Sequence, residues 1–93
     1  METLIKENEA AEELVKELLA DQKSIVLYND PFNTFDHVIS CLMKYCDHNP
    51  HQAEQCTLIV HHNGKCSIKN GSISKLQPIY EALLENELTV KIE

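Results

Sequence analysis

Three polar side chains in this sequence have the types needed to hold a protonated amine. Asn29 and Asp30 stand where an apolar run stops, and His61 stands where Ile59 and Val60 lead out of a second apolar segment. An ammonium group offers three donors and no acceptor, so a site for it needs acceptors arranged around it. An amide oxygen, a carboxylate oxygen and an unprotonated imidazole nitrogen meet that need, and hydrogen bonds to a charged donor are the stronger kind. An Asn-Asp pair before a helix also serves plain turn chemistry. The pattern alone leaves both roles open.

Two other chemistries are raised by residue type. Cys46, His48, His51 and Cys56 fall within eleven residues, a density that invites zinc. No Cys-x2-Cys pair is present, and the spacing matches none of the usual zinc frameworks. Capping and turn roles account for His48 and His51. A cysteine nucleophile needs an exposed setting that lowers its pKa beside a histidine, whereas Cys41, Cys46, Cys56 and Cys66 fall mostly on apolar faces. They are read as reduced, small core residues. No catalytic residue, metal or other cofactor is expected.

The elements that must position the amine site are legible from periodicity. Ser24-Ile25-Val26-Leu27-Tyr28 reads as a short buried strand. Asn33 offers an N-cap with Asp36 in the first turn, and Phe35, Val38, Ile39, Leu42, Met43 and Cys46 recur at the helical period over 34–46. A second helix opens at Asn49-Pro50-His51-Gln52, with proline at its first position, and ends at Asn63-Gly64. Lys65 to Lys69 reads as a strand turning at Asn70-Gly71. A third helix starts at Ser74 or a neighbour, with Pro78 tolerable only near its first turn. Leu88 to Ile92 alternates as a closing strand. The expected fold is α+β: a small three-stranded sheet packed by three helices, in the order β-α-α-β-α-β.

Residues 1–23 differ from the rest. They carry seven acidic and three basic side chains, more than half of the net charge of -7, with no Gly or Pro. Leu14, Val15, Leu18 and Leu19 form only a narrow stripe, so the segment reads as an N-terminal extension, flexible or partly helical, before one domain over 24–93. Eight lysines, no arginine and five aromatic residues argue against nucleic acid, which calls for basic stripes and stacking platforms. The acidic N-terminus and short apolar runs read as neither a secretory signal nor a membrane span. The expectation is a cytoplasmic protein, monomeric when free.

The marks VLYND at the end of the first strand, NTFDHVI opening the first helix, AEQCTLIVHHNGK closing the second and the terminal LTVKIE give the span 24–93 a resemblance to the ClpS family. These are adaptors of the ATP-dependent Clp protease that recognise N-degrons. The 32-residue separation of Asn29 and His61 matches the family's amine-binding pair. The resemblance implies a binding protein without catalytic activity, which holds a substrate's free α-amino group and buries its first side chain, Leu, Phe, Tyr or Trp, before delivery to a Clp ATPase unfoldase. By position it assigns the amine to Asn29, Asp30 and His61. It assigns the side-chain pocket to Leu27, Tyr28, Asn33, Phe35, Val38, Thr57, Val60 and Leu88.

The sequence departs from the family pattern at three places. Pro31 occupies a position where relatives commonly carry a second acidic residue. Phe35 and Thr57 stand where many have methionine, and the segment from Cys66 to Leu84 is about four residues shorter than in many members. The rival reading is a modulator that docks on the unfoldase without reading N-degrons, with zinc binding behind it.

Overall fold

A computed structural model describes residues 11, 12, 14, 15 and 22–93. Most of the expected extension over 1–23 lies outside the described residues. The elements are β1 (Lys23–Tyr28), α1 (Phe35–Tyr45), α2 (Pro50–Asn63), β2 (Lys65–Gly71), α3 (Ile73–Glu85) and β3 (Val90–Ile92). The three strands form one antiparallel sheet in the order β2-β1-β3. Among the described residues no helix is long and apolar enough to cross a membrane.

The central strand buries Ile25 and Leu27 on the face that carries the helices, where they join Leu42, Leu76, Leu83, Leu88 and Val90 in one core. Within that layer α1 packs on α2, α2 on β2, and α3 on β1 and β3. Each fully buried aliphatic side chain contributes about 1.5–3 kcal/mol by leaving water. The register of β1 against β2 shifts between Ile25 and Val26, which leaves Ile68 with no partner in β1. Its carbonyl instead accepts from Nε2 of the buried His48 at 2.7 Å, so the connection between α1 and α2 covers that edge of the sheet.

Local chemistry sets the helix ends. Asn49 caps α2 by accepting from the Gln52 N–H at 2.7 Å, with Pro50 at the first position, as expected. Gly64 ends α2 at φ 92°, its N–H returning to the Val60 carbonyl. The first helix differs from expectation. Its N-cap is Thr34, whose hydroxyl accepts from the His37 N–H at 3.2 Å. The Asn33 side chain is oriented away from the helix end by its amide, which donates to Asp30 Oδ2 and to the Glu87 carbonyl.

Three other boundaries move. Pro78 is the sixth residue of α3 rather than part of its first turn. The missing donor leaves the Ser74 carbonyl without its helical partner, and both residues are exposed, so water can serve that group. β2 continues through Gly71, which pairs with Lys23, where a turn was expected. β3 is limited to Val90–Ile92 because the Leu88 N–H closes the end of α3 by donating to the Leu83 carbonyl.

The seam between β1 and α1 is built on Asp30. Its Oδ1 accepts from the Phe32 and Asn33 N–H groups at 2.9 and 2.8 Å, and its Oδ2 accepts from Asn33 Nδ2 at 2.8 Å and the Thr89 hydroxyl at 3.1 Å. This is a turn in which a carboxylate mimics a backbone acceptor, and proline at the next position suits it, because Pro31 has no N–H to satisfy and a fixed φ. Burial alone raises the Asp30 pKa, but the bonds from Asn33, the Phe32 N–H and Thr89 outweigh it and hold the carboxyl below its ordinary value. A depressed native pKa means that the stabilisation is complete above about pH 4 and is lost as pH falls through the native value.

Two outcomes follow for stability. Asp30→Ala lowers the unfolding free energy in urea by about 1–2 kcal/mol at pH 7, the low end for charge-assisted bonds because the group is partly in water. The difference from wild type shrinks as pH drops below about 4, and equal stabilities at pH 7 would contradict this role. Gly64→Ala costs about 1–2 kcal/mol through its left-handed backbone alone, since an added Cβ meets nothing within 4 Å.

Candidate functional site

The end of β1 and the end of α2 are joined directly. The Asn29 N–H donates to the Gly64 carbonyl at 2.9 Å, extending the ladder one step past the Tyr28–Lys65 pair. Only a backbone turning sharply after α2 presents that carbonyl to the strand. The junction sets the Asn29 and His61 side chains on the same cavity.

That cavity, open to solvent at its mouth, is lined by Leu27, Tyr28, Asn29, Asp30, Asn33, Phe35, Val38, Thr57, Val60 and His61. Leu27, Val38, Thr57 and Val60 are buried, whereas Asn29, Phe35 and His61 are exposed. An apolar wall therefore lies behind a polar mouth. The Phe35 ring meets the His61 ring edge-on, with centroids 5.2 Å apart and planes at 74°, a favoured aromatic geometry. His61 in turn meets His62 edge-on at 5.2 Å.

The remaining walls are fixed from outside. Tyr28 donates its hydroxyl hydrogen to Glu93 Oε2, and Lys91 Nζ lies 5.3 Å from the ring centre. The bond to Glu93, then burial, then the Glu93 charge raise the Tyr28 pKa, so the phenol stays a donor. The Thr57 hydroxyl donates to the Ala53 carbonyl at 2.7 Å, which leaves its hydrogen spent within the helix and makes the residue less polar toward the cavity than its type implies. Asn33 spends both amide hydrogens on Asp30 and Glu87. His37 Nε2 donates to the Asn86 carbonyl at 2.9 Å, tying α1 to the end of α3.

Asp30 lines the cavity, yet each of its oxygens already accepts two bonds. Toward a cation it offers its field rather than a free lone pair. The Asn29 amide and the His61 ring nitrogens, by contrast, make no hydrogen bond among the described residues. Chemically the mouth can accept donors from a charged group, and the apolar wall can take one side chain.

Of the residues assigned from the sequence, Leu88 alone is not in the cavity lining. It is buried in the core near the end of α3. Reasoning from sequence missed Thr89 and the Glu87 carbonyl as the groups that orient Asp30 and Asn33. Both lie more than fifty residues away along the chain, and no local signal marks them. Of the zinc candidates, Cys46, His48 and Cys56 line a separate open groove without His51. Among the described residues no group of three or more His, Cys, Asp or Glu is placed to hold a metal ion.

The profile of the family described as ATP-dependent Clp protease adaptor protein ClpS matches residues 19–89. A relative named ATP-dependent Clp protease adapter protein ClpS, from Thermosynechococcus vestitus (strain NIES-2133 / IAM M-273 / BP-1), is 36% identical over 67 residues, 71% of each chain. The chain thus belongs to the ClpS family of adaptors of the ATP-dependent Clp protease.

Proposed function

We propose that this adaptor reads N-degrons in the cytoplasm and passes their carriers to a Clp ATPase for unfolding, with no catalysis of its own. Asn29 Oδ1 and an unprotonated His61 nitrogen accept from the substrate's free α-ammonium group, and Asp30 supplies negative potential behind them. The first side chain, Leu, Phe, Tyr or Trp, enters the apolar cavity. The observation that carries this reading is the pairing of acceptors that bond to no described residue, at the mouth, with buried apolar walls behind them.

The magnitudes suit a transient hold. One buried apolar side chain contributes about 1.5–3 kcal/mol, and each hydrogen bond to the charged amine about 1.5–3 kcal/mol. After the cost of ordering the peptide, a dissociation constant of roughly micromolar follows, near 8 kcal/mol. An adaptor has to surrender what it captures, so tighter retention would work against delivery. Joining the two subsites also gives selectivity. A lysine side chain presents an ammonium group with no side chain beside it to fill the cavity.

The test is calorimetric titration with peptides that differ only at residue one. Free Leu, Phe, Tyr and Trp bind, acetyl-Leu fails, and Asn29→Ala and His61→Ala each weaken binding about tenfold or more. Equal binding of Leu and acetyl-Leu would overturn the reading and favour a modulator that docks on the unfoldase without recognising N-termini.

A further inference from the structure

The thiols fall into two groups. Cys41 and Cys46 are buried in the core, whereas Cys56 and Cys66 are only partly buried. Cys56 lies on the inward stripe of α2 with Ala53, Thr57 and Val60, and Cys66 lies on the inward face of β2, two residues from Ile68. Because α2 packs on β2, the two stripes meet, with Cys56 and Cys66 both packed against the same core and close enough for each thiol to feel the other. Cys56 also lines the open groove bounded by Asp47, Gln52 and Ser67, so small reagents reach it from solvent. Neither thiol has a part in amine binding.

We propose that Cys56 and Cys66 are a disulfide-forming pair, oxidised by exchange with a low-molecular-weight disulfide, and that the link fastens α2 to β2. The Cys56 thiolate attacks one sulfur of the small disulfide, breaking its S–S bond, releasing one small thiol and leaving a mixed disulfide on Cys56. Deprotonated Cys66 then attacks the Cys56 sulfur and expels the second small thiol. Two protein thiols are oxidised, one small disulfide is reduced, and the two cysteine protons end on the released thiols.

The setting also fixes the tempo. Burial, followed by the adjoining Cys66, pushes the Cys56 thiol up to about 11, so little thiolate exists at neutral pH and exchange is slow. Cys56 adjoins Thr57, and Cys66 pairs with Leu27 across the ladder. Thr57 and Leu27 both line the peptide cavity and neither cysteine does, so the link stands beside residues of the cavity without entering it.

The test is incubation of the full chain with glutathione disulfide at pH 8 to equilibrium, alkylation, tryptic digestion and mass spectrometry. The expected product has lost two thiols and about 2 Da per chain, carries a Cys56–Cys66 link assigned by fragmentation, and returns to four thiols with dithiothreitol. In Cys56→Ser, with folding checked by circular dichroism, Cys66 holds a glutathione adduct and no internal link forms. A Cys46–Cys56 link, links only between chains, adducts on both Cys56 and Cys66 without a bridge, or four free thiols at equilibrium would each overturn the proposal.

Discussion

Everything at the candidate site depends on one backbone hydrogen bond, from the Asn29 N–H to the Gly64 carbonyl at 2.9 Å. It requires a left-handed residue after α2, which Gly64 supplies at φ 92°, and it brings a strand end and a helix end to one place. The Tyr28–Lys65 pair already ties β1 to the residue after Gly64, and this bond carries the tie on to Asn29 itself. With it, two exposed acceptors stand over a buried wall, and the seam that follows Asn29 has to turn at once to begin α1.

That turn explains an otherwise awkward cluster of residues. Asp30 satisfies two backbone N–H groups, the Asn33 amide and the Thr89 hydroxyl, so the carboxylate nearest the candidate amine site is committed to holding the chain. Pro31 fits as the rigid residue inside the turn. The negative charge still acts on the mouth, because a field needs no free lone pair. In the proposed recognition of an amine the same group would serve in two ways, and the end of α3 is part of the structural support, through Glu87 and Asn86.

How much of this the sequence disclosed follows from the range of the interactions. The element order, the cap at Asn49 and the stop at Gly64 rest on contacts within a few residues, and periodicity reads those well. Thr34 rather than Asn33 caps α1 because a carbonyl 54 residues away and a neighbouring carboxylate orient the Asn33 amide away from the helix end. Pro78 sits mid-helix because its missing donor faces water, which the pattern cannot disclose. Leu88 misses the cavity because the turn after α3 folds it into the core. The cavity lining was otherwise legible, but mainly through resemblance to a family. Periodicity alone leaves Asn29 and Asp30 as turn residues.

The most direct measurement is a set of two-dimensional NMR spectra of the chain, recorded as a peptide with a free N-terminal leucine is added. With the peptide's N-terminus seated over the cavity, the Asn29 side-chain amide, the His61 ring and the backbone signals of Leu27, Val38, Thr57 and Val60 shift together. The signals of Gln52, Ser67 and Asn70, around the separate groove, stay in place. Shifts confined to that groove or to α3, or a spectrum unchanged at saturating peptide, would contradict this seating.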